Sequence, residues 1–397
     1  MPAVFKNLPG LGALLALVLL LSLAPGKAEA GPALLFEPTS GTVYYSEDID
    51  VPWHPASLTK MMTAYVTFEA LKDGTITPDT KLICSLTANS QAPSKVGLAV
   101  GAEIDVAFGV RALIIKSAND VAYMLAEKIG GSVDGFVQKM NDTAKHLGMS
   151  STTFANPNGL PDERQVTSAR DMAILARAIL KDYPQYASLF GETEVTFGKK
   201  KLGSHNSLLK TFEGADGMKT GFICDSGYNV VASATRDKLK LIAVVFGETS
   251  AGFRSLRAAT LLQYGYDTHV WKESFGGLPT IDNVAREDNG VILAPSIRKS
   301  VLNWACGYRP KVVKKAKAGK VASKNSAKAV DAADVSEPAG KPKKPAKKAL
   351  KGTIDAASVV ADPAAGTPEP VKPKKLAKKP KLPLEAAVAN PQASVTP

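Results

Sequence analysis

The stretch Pro-Ala-Ser-Leu-Thr-Lys-Met-Met-Thr-Ala-Tyr at residues 55–65 decides the reading of the chain. From Ser57 onward the apolar residues Met61, Met62, Tyr65, Val66 and Leu71 recur at helical spacing. That period predicts a helix over 57–71 opened by Ser57. It also sets Ser57 and Lys60 on one face, within reach of each other. Serine is a poor nucleophile at its own pKa and needs an adjacent base. A lysine can be that base only when neutral, well below its reference value of about 10.4. Burial and a second nearby cation both push it that way.

Two further short patterns follow in order, Ser117-Ala118-Asn119 and Lys219-Thr220-Gly221. Each is cheap alone. Ser-x-x-Lys recurs at Ser207–Lys210 and, as Ser-Ile-Arg-Lys, at Ser296–Lys299, while Ser-x-Asn recurs at Ser204–Asn206 and Ser323–Asn325. Context separates them. Ser57 opens an apolar-periodic helix and could otherwise serve as its ordinary cap, whereas Ser207 and Ser296 precede no such helix. Ser117 stands beside the helical run Val-Ala-Tyr-Met-Leu-Ala-Glu-Lys-Ile, and Lys219-Thr220-Gly221 leads into a β-like segment. A glycine there lets a substrate backbone approach closely. Lys219 is the natural second cation beside Lys60. Ser117 can relay a proton, and Asn119 can hold a substrate amide or orient Lys60. No Gly-x-Ser-x-Gly is present, and none of the four histidines lies in a hydrolase motif, which argues against a Ser-His-Asp triad.

Outward from these patterns, residues 33–50 read as a hairpin turning at Ser40-Gly41. Helical patterns occupy 109–129, 134–147 and 168–181, with Asp134 and Ser168 as caps. β-like runs follow at Thr193–Phe197, Tyr228–Ala234 and Leu241–Phe246, then a helix from about Ala251 to Tyr264. Strands at both ends with helices between predict an α/β (α+β) body: an antiparallel sheet built from both ends of the domain, flanked by helices, with a helical insertion. The catalytic body is expected over 31–268 and a small appendage over 269–308. The chain of 397 residues carries +12, but from Arg309 onward 20 Lys and Arg face 7 Asp and Glu. That segment alone carries +13, so everything before it nets −1. Rich in Lys, Ala and Pro and free of aromatics, 309–397 is expected to be a disordered tail.

Lys6, the apolar run Leu11–Leu23 and Ala28-Glu29-Ala30 resemble a secretory signal over 1–30. An uncleaved anchor is the alternative. Export permits one disulfide among Cys84, Cys224 and Cys306, in any of three pairings. Cys224, close after Gly221, reads as a small buried hydrophobe. No Cys-x-x-Cys occurs, and neither a metal site nor a cofactor is implied.

Wider segments carry a family resemblance: residues 55–65, Lys116-Ser117-Ala118-Asn119-Asp120, Leu147-Gly148-Met149, Phe154-Ala155-Asn156-Pro157-Asn158-Gly159-Leu160, and Gly217-Met218-Lys219-Thr220-Gly221-Phe222. Over 33 to about 268 the chain resembles the low-molecular-weight penicillin-binding proteins, the serine-type D-Ala-D-Ala carboxypeptidases of the β-lactamase/transpeptidase-like superfamily. The resemblance implies that Ser57 is acylated with Lys60 as base, and that Ser117 and Asn119 form a second element. It implies that Lys219 and Thr220 meet the substrate's terminal carboxylate. The N–H groups of Ser57 and Phe222 would form an oxyanion hole beside Gly221. Arg254 resembles the arginine that orients the carboxylate, with Arg257 close by; a surface ion pair is its other reading. Peptidoglycan stem peptides are the implied substrates and β-lactams the covalent inhibitors.

Ala118 stands where class A β-lactamases have Asp, and Glu163 is followed by Arg-Gln-Val-Thr, not by the context of a deacylating glutamate. Both argue against a β-lactamase. A D,D-endopeptidase uses the same residues and is the main alternative; a non-catalytic wall-binding protein is a lesser one. The basic tail resembles nucleic-acid-binding tails, but an exported tail meets an anionic membrane or wall polymer instead, so no nucleic acid is expected.

Overall fold

The computed structural model describes residues 31–286 and 293–308. The expected leader over 1–30 and tail over 309–397 lie outside them.

The hairpin forms as β1 (Ala33–Phe36) and β2 (Val43–Glu47). A single 3-10 turn, Ala56–Leu58, feeds α1 (Thr59–Lys72), so Ser57 sits just ahead of the helix proper. β3 (Lys81–Ile83), α2 (Leu86–Ser90) and β4 (Glu103–Asp105) follow, the two strands pairing as a separate ladder. Next is α3 (Val106–Arg111).

Here the structure departs from the helix expected over 109–129. A wide π-type turn takes up Ala112–Lys116, Ser117 adopts φ +60°, ψ +40°, and α4 (Asn119–Gly130) begins afresh. The apolar period runs straight through the break, because Leu113, Ile114 and Ile115 are buried whichever turn they occupy. What holds the break is a tertiary contact with an earlier loop: Ser94 Oγ donates to the Lys116 carbonyl at 2.9 Å, and the Asn119 N–H donates to the Ser94 carbonyl at 2.7 Å.

α5 (Val133–His146) and α6 (Ala169–Asp182) come next. Ser168 caps α6 as expected, but Ser132, not Asp134, caps α5 by accepting from the Gly135 N–H. β5 (Glu194–Phe197) and β6 (Lys200–Gly203) make a small hairpin of their own, so the run at 193–197 does not join the main sheet. A short α7 (Leu208–Thr211) leads to β7 (Ala215–Ile223), β8 (Gly227–Arg236), β9 (Leu239–Glu248) and α8 (Ala251–Ser274).

The main sheet is antiparallel with strand order β2-β1-β9-β8-β7, joining the two ends of the domain. Period-two alternation divides its side chains between two faces. Leu34, Phe36, Val231, Ile242, Val244 and Phe246 face the helical body. Leu35, Val230, Ala232, Leu241, Ala243 and Val245 face α8 through Ala258, Leu261 and Leu262.

Beyond α8, which runs past the expected end at Tyr264, the described residues lie back on the body. Val43 N–H donates to Pro279, Ile281 N–H to Gly41, Ile297 N–H to Asp225 and Leu302 N–H to Thr249, all at 2.8–2.9 Å. Cys224 and Cys306 are joined in a disulfide, and Cys84 is the free buried thiol. The reading of Cys224 as a buried hydrophobe is therefore wrong. It occupies the β7–β8 hairpin tip, which faces the returning segment.

Candidate active site

The three patterns converge at one end of β7. Lys60 Nζ lies 3.0 Å from Ser57 Oγ and donates to the Asn158 carbonyl. Lys60 is 1% exposed, while Ser57 remains partly open to solvent. Burial, and after it the charge of Lys219, holds the Lys60 pKa well below the ordinary lysine range. The pair thus has the geometry and the electrostatics of an activated nucleophile.

Asn158 belongs to a loop that hydrogen bonds cinch from several sides. Thr63 Oγ1, on α1, donates to the Pro157 carbonyl at 2.6 Å, and Asn156 Oδ1 accepts from the Gly159 N–H at 2.8 Å. Gln165 Oε1 accepts from the N–H groups of Ala155 and Asn156. Gly159, at φ +83°, passes so close to the turn that carries Ser57 that a Cβ would stand 1.9 Å from the Ala56 carbonyl oxygen. Only glycine fits there. The part played by this loop escaped the sequence reading, because its contact with Lys60 is made by a backbone carbonyl.

Ser117 is presented by the left-handed break between α3 and α4. Lys219 Nζ donates to Ser117 Oγ and to the Thr220 carbonyl, each at 2.9 Å. Burial, and after it the neighbouring Arg254, brings the Lys219 pKa down to about 7. Asn119 does not bond to Lys60. Its Nδ2 donates to the Ala92 carbonyl at 2.8 Å, and its buried Oδ1 has no partner. Lys219 and Thr220 are buried on β7, while Phe222 is half-buried. Gly221 passes beside the turn that carries Ser57: a Cβ would meet the Pro55 carbonyl oxygen at 2.9 Å and the Ser57 nitrogen at 3.1 Å.

Arg254, in the first turn of α8, is 5% exposed, which rules out a surface ion pair. Its Nη2 donates to the His205 carbonyl at 3.3 Å, its Nε is buried without a partner, and its guanidinium lies 6.0 Å from the Tyr228 ring centre. Burial lowers its pKa to about 10. Arg257 is the ion-pairing residue instead, with Glu47 at 2.8 Å and Glu248 at 3.3 Å.

The decoys separate equally clearly. Ser207 Oγ bonds with Ser255 Oγ, and Ser296 Oγ donates to Asp225, so neither serine faces a lysine base. Asn206, which looked like a chance repeat, ties the start of β7 by donating from Nδ2 to the Gly217 carbonyl at 3.1 Å.

The sequence profile described as D-alanyl-D-alanine carboxypeptidase matches residues 21–250. The chain is 39% identical over 248 residues to D-alanyl-D-alanine carboxypeptidase DacA of Haemophilus influenzae, covering 61% of this chain and 63% of that protein. It is 37% identical over 249 residues to DacF of Bacillus subtilis, covering 61% and 64%. The chain thus spans less than two thirds of the length of these curated relatives. Among solved structures it resembles penicillin-binding protein 5 of Haemophilus influenzae, with TM-score 0.59 and 38% identity over 62% of this chain and 72% of that one. It also resembles penicillin-binding protein D2 of Listeria monocytogenes in its ampicillin-bound form, with TM-score 0.53 and 30% identity over 60% and 97%. A profile match over more than half of its length, on a fold that brings the three patterns together, establishes that the chain belongs to the D-alanyl-D-alanine carboxypeptidase family.

Proposed function

We propose that this protein is a serine D-Ala-D-Ala carboxypeptidase, removing the terminal D-alanine from peptidoglycan stem pentapeptides through an acyl-enzyme on Ser57. The observation that carries this reading is the buried Lys60 amine 3.0 Å from a solvent-accessible Ser57 Oγ. Ser57 Oγ attacks the carbonyl carbon of the penultimate D-alanine, and its proton passes to Lys60. The oxyanion is held by the N–H groups of Ser57 and Phe222. As the C–N bond breaks, the departing amine of the terminal D-alanine takes a proton relayed through Ser117, which Lys219 contacts at 2.9 Å. Water then hydrolyses the ester by the reverse use of Lys60. Arg254, Lys219 and Thr220 receive the terminal carboxylate; the unpartnered Nε of Arg254 is a donor left for it. Asn119 Oδ1, buried and unpartnered, is an acceptor suited to a substrate amide N–H.

Covalent inhibition by β-lactams belongs to the same reading, supported by the Listeria relative in its ampicillin-bound form. The Cys224–Cys306 disulfide and the leader-like first 30 residues support export to an oxidising envelope compartment. Among the described residues no helix is long and apolar enough to cross a membrane. Within that compartment the basic tail would hold the enzyme at an anionic membrane or wall polymer.

Purified protein incubated with a pentapeptide and with a cross-linked dimer, followed by product masses, tests the reading. Release of D-alanine from the pentapeptide is expected, with the dimer cleaved more slowly. Faster cleavage of the dimer would establish the endopeptidase alternative. A penicillin adduct mapped to any residue other than Ser57 would overturn both.

A further inference from the structure

We infer that residues 296–306 form a clasp that positions the active site by holding Tyr228, with Asn303 as the residue that acts. The β7–β8 hairpin carries Lys219, Thr220, Gly221 and Phe222 on one arm and Tyr228 on the other, with Phe222 opposite Tyr228 across the ladder. Their rings stack at 4.2 Å between centres, inclined by 27°. Tyr228 therefore backs the residue whose N–H is assigned to the oxyanion hole, and its ring also lies under Arg254.

The returning segment grips this hairpin at several points. Cys306 is bonded to Cys224 at the hairpin tip. Asp225, next in the tip, accepts from Ser296 Oγ at 2.6 Å and from Arg298 at 2.7 and 3.2 Å, and its carbonyl accepts from the Ile297 N–H. Asn303 Nδ2 then donates to Tyr228 Oη at 2.8 Å. Asn303 is itself locked: its Oδ1 accepts from the Ala305 N–H, and its carbonyl accepts from the N–H groups of Cys306 and Tyr308. The disulfide thus fixes a loop whose centre is Asn303, and Asn303 fixes the outer edge of the Tyr228 ring. A segment remote in sequence from Ser57 is thereby coupled to the backbone that borders the nucleophile.

The inference rests on the serine-enzyme reading and is tested separately from it. Acylation by a fluorescent penicillin is followed in the full chain, with rates expressed per titratable Ser57, for Asn303→Ala, Tyr228→Phe and the double variant. Each single change should lower the limiting acylation rate by about three- to tenfold, the scale of one lost hydrogen bond. The half-saturating concentration should stay put, because the oxyanion forms only in the transition state. The double variant should be no slower than the slower single, since both remove one contact. Opening the disulfide with Cys306→Ser should slow acylation in the same way. A native limiting rate in either single variant, multiplication of the two losses, or a loss confined to half-saturation would each overturn the clasp. Absence of any Ser57 adduct in the unmodified protein would instead overturn the serine-enzyme reading, and the clasp with it.

Discussion

Replacing Gly159 with Ala would place a methyl carbon 1.9 Å from the Ala56 carbonyl oxygen and 2.4 Å from its carbon. Opening that overlap to even about 3 Å demands roughly 1 Å of movement, because both atoms belong to backbone and neither can rotate away. Ala56 precedes the nucleophile, and Asn158, which holds Lys60, precedes Gly159. Whichever side yields, the Ser57–Lys60–Asn158 arrangement is displaced by about the same 1 Å. Displacements of that size cost about 100-fold in rate. The left-handed backbone at φ +83° adds about 1–2 kcal/mol of strain and the overpacking about 1–3 kcal/mol more. The midpoint of thermal unfolding should therefore fall by roughly 5–15 °C for a domain of this size. Stopped-flow acylation by a fluorescent penicillin and scanning calorimetry read the two effects. Gly148→Ala is the control: its φ is +81°, but no atom lies within 4 Å of the added carbon. It should lose stability through strain alone and acylate at the native rate. If Gly159→Ala acylated within about threefold of native, a cost under 1 kcal/mol, the loop would not be what places the nucleophile and its base.

Lys60→Ala should lower acylation by about 100- to 10,000-fold while the fold survives, since a general base is lost and a buried amine removed; a drop below about tenfold, short of that range, would assign the base elsewhere. Acylation requires neutral Lys60, so its rate falls on the acid side as Lys60 gains a proton. The charge of Lys219 helps keep the Lys60 pKa low, so Lys219→Met should raise that pKa and move the acid limb to higher pH; an unmoved or acid-shifted limb in the pH–rate profile would refute the coupling. The penicilloyl adduct should persist for many catalytic lifetimes, because Glu163 is exposed on a surface loop; intact-mass detection of rapid turnover would point to a β-lactamase. Deleting 309–397 should leave kinetics on a soluble peptide unchanged and abolish salt-sensitive sedimentation with anionic vesicles, given about 1 kcal/mol per lysine near such a surface; sedimentation equal to that of the full chain would place the anchor elsewhere.

The grouping of Ser57, Lys60, Ser117 and Lys219 was legible because the proposed reaction would use each through a side chain whose type it requires. The sheet was legible where a short apolar run rich in β-branched residues stood between polar ones, as in Leu241–Phe246, whose alternate side chains enter two separate cores. The break at Ser117 was not, because burial rewards the apolar residues of 112–115 whether the turn is α or π. Asn158 and Gly159 act through a carbonyl and through the lack of a side chain, which residue type alone does not advertise. The pairing of Cys224 with Cys306 depends on a hairpin tip meeting a segment 82 residues later, a closeness that only the assembled sheet creates. Arg254 and Arg257 differ by three positions and have the same chemistry; burial on α8 separated them.

The place of β1 within the main sheet carries a consequence for how the chain matures. β1 lies between β2 and β9, and Leu35 opposes Ala243, about 200 residues later in the chain. A chain emerging from its N-terminus, from a ribosome or through a translocation channel, presents the β1–β2 hairpin long before the strand that completes it exists. Until β9 arrives, Leu34 and Phe36 have no sheet to continue, and the unpaired side of β1 stays open as a template for other strands. Pairings at such separation are slow to form, since loop closure precedes any gain from contact. Aggregation during synthesis or export should therefore concentrate in chains halted before Glu248. A partner that occupies the open side of β1 during this interval would act as a chaperone for the whole enzyme.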